Sequence, residues 1–385
     1  MKWINFLHFY QPANMEKEKV IEACEKSYSF ILDQLEKNPD TKVTANLSGS
    51  LIIRFAEELG FNDLLSRFSR LISSGQIEIV GSAAYHPLLP LVKKKIAIRQ
   101  IEEQEELLKK CLNCAKPKGF FFPEMAYTPE AGAMIKKLGY EWIILDEISA
   151  GGLLNKIDAS KIFIDKENGL KIIFRSRYWS SSYVPKHFLD EWQNIENKTI
   201  VTATDAELYG LKHEDHSGNL SELLKKEGLE TTTISEHINS ANNAPEALEV
   251  LPSSWETTEE EIKAGRPFEL WSADDKIHEK LWKLADLAQK LYLKHESCEA
   301  GFWCYWHLVR GLGSCTFWWA SGKDFKHNFG PRAWNPDEIE KGINELIRSI
   351  RSLEKFTDLK IKLKAEKMAI ETKKLIWEKH WRDFN

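Results

Sequence analysis

The sequence predicts an α/β protein, in which a distorted (β/α)7 TIM-like barrel over residues 1–255 is followed by a helical domain over residues 256–385. Three observations support this prediction. Apolar strand-like runs alternate with amphipathic helical segments, polar residues gather where the strands end, and the pattern becomes wholly helical from about residue 256 onward. A chain of 385 residues, 43% of them hydrophobic, has enough apolar material to form both cores.

Seven apolar runs are strand candidates, and helical segments with apolar residues at three-to-four spacing separate most of them. A strand followed by a helix, repeated along the chain, predicts a parallel sheet. This periodicity fits both a closed barrel and an open, doubly wound sheet. The predicted strands are residues 3–9, 42–47, 77–81, 118–122, 142–145, 171–175 and 199–204. The predicted helices are residues 16–36, 50–59, 62–74, 93–112 and 129–138, and then 275–294, 300–312, 337–353 and 363–380.

The ends of the strand candidates favour the barrel over an open nucleotide-binding sheet. The turn after the first strand reads His-Phe-Tyr-Gln-Pro over residues 8–12 and lacks the glycine-rich pattern that cradles a phosphate. Side chains at the carboxyl ends of parallel strands meet at one face of a barrel, which is where barrel active sites lie. The polar residues found at such positions here are His8, His86, Glu124 and Asp205.

Charge, hydropathy and cysteine content exclude several classes of protein. The net charge is −5, with acidic and basic residues interleaved, so the basic stripe of a nucleic-acid-binding protein is missing. No apolar stretch reaches the roughly 18 residues needed to span a bilayer, and the polar residues in the run 3–9 do not suit an export signal. We therefore expect no nucleic-acid or membrane partner and a cytoplasmic location. Cys111 and Cys114 form a single CxxC, which indicates ordinary thiols more than a zinc site.

Glu124 and Asp205 are the candidate catalytic residues. Each follows or ends a strongly apolar strand candidate, which is the position at which a carboxylate leaves the core and reaches a cavity. Each carboxylate also fits a helix N-cap, because Asp and Glu favour helix N-termini, and for a single residue capping is the commoner role. The residues on either side of the two carboxylates favour catalysis.

These neighbouring residues resemble the ordered motifs of glycoside hydrolase family 57 over nearly the whole chain. Residues 75–90, GQIEIVGSAAYHPLLP, resemble the second motif of the family. Residues 123–127, PEMAY, resemble the third motif, and residues 204–210, TDAELYG, resemble the fourth. Residues 305–307, YWH, resemble the fifth motif.

The resemblance implies a retaining glycoside hydrolase or transglycosylase that acts on α-glucans through a covalent glycosyl-enzyme intermediate, without a metal or a cofactor. Glu124 is then the nucleophile and Asp205 the general acid/base. We expect burial and the like charge of its partner to raise the pKa of Asp205. The resemblance also implies a ring of substrate-binding residues around the pair: His8, Tyr10, Gln11, Glu78, His86, Tyr127, Arg175, Glu207, Trp255, Trp306 and His307.

The first motif departs from the family pattern. Members usually read His-Gln-Pro, whereas this chain reads Tyr10-Gln11-Pro12 and carries a histidine two residues earlier, at His8. Residues 8 and 10 face the same side of a strand, so His8 is expected to line the pocket beside Tyr10. The alternative interpretation is a core histidine whose hydrogen bonds are made within the protein.

Two other functions stay open from the sequence. One is a catalytically inactive carbohydrate-binding homologue, which the presence of both carboxylates opposes. The other is a metal-dependent polysaccharide deacetylase-like enzyme, which needs an early aspartate and two suitably spaced histidines. No Asp-Asp pair follows the first strand, and the His-Glu-Asp-His run at residues 213–216 is typical of a polar loop.

Overall fold

The computed structural model describes residues 1–241, 244–322 and 334–383. These residues form two compact units. The first comprises residues 1–11, 15–84 and 100–265, and the second comprises residues 12–14, 85–99 and the described residues from 266 onward. The predicted domain boundary between residues 255 and 256 stays a prediction.

The described part of the first unit contains ten strands. They are β1 (Lys2–Phe9), β2 (Val43–Leu47), β3 (Ile77–Ile79), β4 (Gly119–Phe121), β5 (Trp142–Asp146), β6 (Phe163–Asp165), β7 (Lys171–Arg175), β8 (Thr199–Asp205), β9 (Glu230–Thr231) and β10 (Glu246–Leu248). One sheet has the order β3-β2-β1-β8, with β9 also pairing with β1, and the other has the order β10-β6-β7-β5-β4. The pairings are parallel except between β6 and β7.

Two hydrogen-bonded junctions join these sheets into a ring. Beyond β3, the Gly81 amide donates to the Gly119 carbonyl at 2.9 Å, and the Phe121 amide donates to the Gly81 carbonyl at 2.9 Å. A side chain at Gly81 would collide with the ring of Tyr140, so this approach requires glycine. On the other side, the Ser176 amide after β7 donates to the Val201 carbonyl of β8 at 2.9 Å. The order around the ring is β1-β2-β3-β4-β5-β7-β8, which confirms the predicted (β/α)7 barrel.

All seven predicted strands are present, each within two residues of its predicted bounds. The strands that the sequence did not predict, β6, β9 and β10, have two or three residues each, too few to show alternation. Two predicted helices contain π-helical turns, at Cys24–Tyr28 and Arg54–Leu59. Helical segments of the first unit are Lys17–Ala23, Cys24–Tyr28, Ser29–Lys37, Gly49–Ile53, Arg54–Leu59, Asn62–Ser73, Pro129–Lys137, Arg177–Ser180, Val184–Asp190, Trp192–Ile195, Asn219–Leu224, Ile234–Ser240 and Glu259–Lys263. Lys94–Leu112 begins in the second unit and continues into the first.

Strand alternation separates two apolar clusters. On β1, Trp3, Leu7 and Phe9 pack with the surrounding helices, whereas Ile4 and Phe6 pack inside the ring. The interior cluster also contains Trp142 and Ile144 of β5, Ile173 of β7 and Val201 and Ala203 of β8. Continuing the same alternation, the last inward-facing positions of these four strands are His8, Asp146, Arg175 and Asp205.

The described part of the second unit is helical, as predicted. Its helices are Lys276–His295, Gly301–Gly311, Ser314–Trp318, Pro336–Ser352 and Leu359–Asp383. Asp275 caps the first of them by accepting hydrogen bonds from the amides of Ile277 and His278 at 2.8 and 2.9 Å. Across the described ranges, no helix is long and apolar enough to cross a membrane. The cytoplasmic location stays a prediction.

Candidate active site

Glu124 lies in a sharp turn directly after β4. Its backbone has φ 59° and ψ 16°, in the left-handed region that residues other than glycine rarely adopt, and Met125 follows with φ 49°. The turn is held by hydrogen bonds from the amide of Met125 to the Phe122 carbonyl, at 2.7 Å, and from the amide of Ala126 to the Pro123 carbonyl, at 3.0 Å. The Glu124 side chain is nearly buried, with the residue 9% exposed. Backbone strain at a buried carboxylate is typical of a functional site.

Trp255 holds Glu124 by two contacts. Its indole Nε1 donates to Oε2 of Glu124 at 2.9 Å, and its amide donates to the Glu124 carbonyl at 3.0 Å. Arg175 packs beneath this indole, with the guanidinium carbon 5.2 Å from the ring centre. The Arg175 guanidinium donates hydrogen bonds to the Asp146 carboxylate and to the backbone carbonyls of Ala203 and Trp255.

Asp205 ends β8 and forms an ion pair with Lys212, with Nζ 2.6 Å from Oδ2. Desolvation opposes ionisation of Asp205, but the charge and the hydrogen bond of Lys212, together with the charge of Arg175, outweigh it and lower the pKa of this carboxyl. The expected rise in the pKa of Asp205 is therefore wrong for this structure. Lys212 was not predicted from the sequence, because it lies in a loop seven residues beyond the strand.

His8 is the register partner of Asp205 on the neighbouring strand. Burial lowers the pKa of His8 to about 4, so the ring is neutral near pH 7. Its Nδ1 lies 2.9 Å from Oδ1 of Asn46, and its ring stacks on Tyr10 with centroids 5.5 Å apart. His8 and Tyr10 therefore lie side by side, as strand alternation predicted. Their contact with substrate stays a prediction.

Glu207 follows Asp205 in the short helix Ala206–Leu208 and is buried. Its Oε1 accepts hydrogen bonds from Nε2 of Gln11, at 2.7 Å, and from the hydroxyl of Tyr28. Burial, followed by the charge of Asp205, raises the pKa of Glu207 to about 7. Gln11 and Glu207, both predicted to bind substrate, thus bind each other, and Tyr28 is a further partner of Glu207 that the sequence pattern does not indicate.

Two further predicted substrate-binding residues have hydrogen-bond partners away from this end of the barrel. Glu78 pairs in register with Thr44 and accepts from its hydroxyl, at 2.9 Å, and from the amide of Ser235, at 3.1 Å, in the first turn of Ile234–Ser240. Burial raises the pKa of Glu78. The hydroxyl of Tyr127 donates to the buried carboxylate of Asp165. The polar atoms of both side chains therefore form hydrogen bonds that connect different elements of the fold.

The remaining predicted residues belong to the second unit. His86 has φ 56°, its Nδ1 lies 2.9 Å from Oγ of Ser314, and its carbonyl accepts from the Ser314 amide at 2.9 Å. Trp306 packs against Arg310, whose guanidinium carbon is 3.4 Å from the ring centre. His307 Nδ1 lies 2.8 Å from Oε2 of Glu345. These contacts fix the three side chains within their unit, and their predicted substrate-binding roles stay predictions.

One of the candidate metal ligands of the sequence, Asp215 in the run 213–216, has a structural role. It accepts hydrogen bonds, at 2.8 and 2.9 Å, from the amides of Asn219 and Leu220, which are the first two residues of the helix Asn219–Leu224. Cys111 and Cys114 are half-buried thiols. Among the residues that the structure describes, no group of three or more His, Cys, Asp or Glu is arranged to hold a metal ion.

A closed ring of parallel strands, with carboxylates at the carboxyl ends, defines an α/β-barrel protein with a polar site at one end of the barrel. The chain belongs to glycosyl hydrolase family 57, whose profile matches residues 4–252. An alpha-amylase of Pyrococcus abyssi is 32% identical over 157 residues, which are 39% of this chain and 23% of that protein. A 4-alpha-glucanotransferase of Thermococcus litoralis is 31% identical over 157 residues, again 39% of this chain and 23% of that protein. These alignments span less than a quarter of either relative.

Solved structures share the fold over nearly the whole chain. The GH57-type branching enzyme from Pyrococcus horikoshii superposes with a TM-score of 0.71 and 16% identity, covering 96% of this chain and 94% of that chain. The 4-alpha-glucanotransferase from Thermococcus litoralis superposes with a TM-score of 0.70 and 19% identity, covering 91% of this chain and 60% of that chain. These similarities confirm the barrel with its helical domain.

Proposed function

We propose that this protein is a retaining glycoside hydrolase or transglycosylase that acts on α-1,4-linked glucans, with Glu124 as nucleophile and Asp205 as general acid/base. The observation that carries the proposal is the buried Glu124 carboxylate, held in a left-handed turn and hydrogen-bonded by the Trp255 indole. Membership of glycosyl hydrolase family 57 supports the reaction class. Relatives named alpha-amylase and 4-alpha-glucanotransferase support the choice of α-glucan.

In the first step, the ionised carboxylate of Glu124 attacks the anomeric carbon while the bond to the leaving sugar oxygen breaks. Asp205 gives its proton to that oxygen, and a covalent glycosyl ester forms on Glu124. In the second step, Asp205 takes a proton from the acceptor, whose oxygen displaces Glu124. Water as acceptor gives hydrolysis, and a sugar hydroxyl gives transglycosylation.

Each carboxylate has a neighbour suited to one stage of this cycle. The Trp255 indole donates a hydrogen bond to Oε2 of Glu124 and so holds the carboxylate that attacks. The ion pair with Lys212 favours ionised Asp205, which is the form that accepts a proton in the second step. For the first step Asp205 must be protonated, so the pair with Lys212 has to weaken when substrate binds.

Incubation with maltoheptaose and amylose tests the proposal. We expect the wild-type protein to release reducing ends or to redistribute chain lengths, with the α-anomer as the first product by proton NMR. Glu124→Gln and Asp205→Asn should each abolish turnover. Glu227→Gln, which changes an exposed glutamate, is the control and should leave turnover unchanged. Turnover near the wild-type rate in Glu124→Gln or Asp205→Asn would refute the assignment.

A further inference from the structure

A buried ion-pair cluster surrounds Asp146, the last residue of β5, whose side chain faces the inside of the barrel. The Asp146 carboxylate is fully buried; Oδ2 accepts from Nε of Arg175 at 2.7 Å, and Oδ1 accepts from Nη2 of Arg177 at 2.7 Å. Oδ1 also accepts from the amide of Ile148 at 3.0 Å. A buried carboxylate with this many donors is held in one position, because losing a partner would leave an uncompensated charge.

Arg175 extends this cluster to two other parts of the chain. Nη1 donates to the carbonyl of Ala203 on β8, at 2.8 Å, two residues before Asp205. Nη2 donates to the carbonyl of Trp255 at 3.1 Å, and the guanidinium also packs on the Trp255 ring. A single planar guanidinium thus joins β5, the strand that carries Asp205 and the segment that carries Trp255.

Trp255 completes the connection to Glu124. Both its indole and its amide donate hydrogen bonds to Glu124, at 2.9 and 3.0 Å. The path from Asp146 to Glu124 therefore consists of direct hydrogen bonds through two intermediate residues. Charged and titratable groups around this path include His8 on β1, Asp205 at the end of β8 with Lys212 in the following loop, and Glu147 and Arg177 next to Asp146.

We propose that Arg175, anchored by the buried carboxylate of Asp146, is a positioning residue that fixes Glu124 relative to Asp205. The inference rests on the proposed function of these two carboxylates. Retention requires carboxyl groups about 5 to 5.5 Å apart, and a misplacement of about 1 Å can cost on the order of 100-fold in rate. A lysine at position 175 keeps the positive charge but cannot reproduce the planar fork that binds three partners at once.

Arg175→Lys tests the proposal, with Arg177→Lys as the matched control. Both arginines bind Asp146, but the Arg177 side chain donates its other hydrogen bond to the Thr257 carbonyl at 2.8 Å, whereas Arg175 donates to the carbonyls of Trp255 and Ala203. With maltoheptaose as substrate, we expect Arg175→Lys to lower kcat by about 10- to 100-fold with KM within about twofold. Arg177→Lys should keep kcat within about threefold. A general loss of fold would affect both variants alike.

Equal kcat values for the two variants would overturn the proposal. If Arg175→Lys lacks a cooperative unfolding transition, and is therefore not folded, Trp255→Phe is tested in its place. This change removes the indole donor to Glu124 and should again lower kcat more than it raises KM. Wild-type kcat in Trp255→Phe would also overturn the proposal. Failure of the proposed function is distinct from these outcomes, because the wild-type protein would then be inactive on the glucan.

Discussion

The indole Nε1 of Trp255 lies 2.9 Å from Oε2 of Glu124 and donates a hydrogen bond to it, although the two residues are 131 positions apart in the sequence. The bond joins the turn after β4 to the segment that leaves the barrel. The left-handed backbone at Glu124 costs roughly 1–2 kcal/mol for a residue with a side chain, and this hydrogen bond offsets part of that cost.

Trp255→Phe is expected to reduce stability as well as turnover. The indole donates to Oε2 of Glu124, a residue that is 9% exposed, so its removal leaves a nearly buried carboxylate with one donor fewer. The cost is about 1 to 3 kcal/mol in the free energy of unfolding. Urea unfolding of the wild-type and variant proteins measures this cost, and equal stabilities would show that the bond contributes little to holding Glu124.

Lys212→Met is expected to move the alkaline limb of the pH profile of kcat/KM on maltoheptaose to higher pH. Lys212 lowers the pKa of Asp205, and a general acid loses activity as the pH rises above its pKa. Removing the lysine raises that pKa, so Asp205 keeps its proton to higher pH. Lys186→Met is the control, because it removes the same charge from an exposed pair with Asp190. The two variants should differ; identical alkaline limbs would contradict the prediction.

Glu207→Gln is expected to flatten the dependence of stability on pH between about pH 4.5 and 7. The pKa of Glu207 is raised to about 7 in the folded protein, so the folded state binds more protons than the unfolded state in this range. The stabilising contribution of protonated Glu207 is therefore fully present below the unfolded pKa and is lost as the pH rises through about 7, a loss of about 3 kcal/mol. Urea unfolding at several pH values measures this loss. A wild-type-like slope in Glu207→Gln would contradict the assignment, and Glu227→Gln should keep that slope.

Tyr127→Phe is expected to reduce stability rather than substrate affinity. The hydroxyl of Tyr127 donates to Asp165, a carboxylate that is 2% exposed, so its loss leaves a buried acceptor with one partner fewer. The cost is about 1 to 3 kcal/mol in the free energy of unfolding. KM for maltoheptaose should stay within about twofold. A large rise in KM with unchanged stability would instead support the substrate contact that the motif suggested.

The positions of the two candidate carboxylates could be predicted from the sequence because apolar runs define the strands and the polar residue that follows each run. Asp146 carries the same signal, an aspartate directly after the apolar run 142–145, and was overlooked. Lys212 has no such signal, since a loop residue is brought to Asp205 by the path of the loop alone. Tyr28 sits in a helix that the sequence predicted, but periodicity does not reveal that its hydroxyl meets Glu207.

By itself, the sequence determined the positions of the seven barrel strands, the helical second part and the residues at the carboxyl ends of the strands, because these follow from local periodicity. Only the tertiary structure decided how those residues use their polar atoms. Arg175, Glu78 and Tyr127 have hydrogen-bond partners within the protein, and Asp205 has a lowered pKa because an ammonium group faces it. Hydrogen bonds and charges depend on distances of a few ångströms between residues far apart in the chain, which strand and helix patterns do not specify.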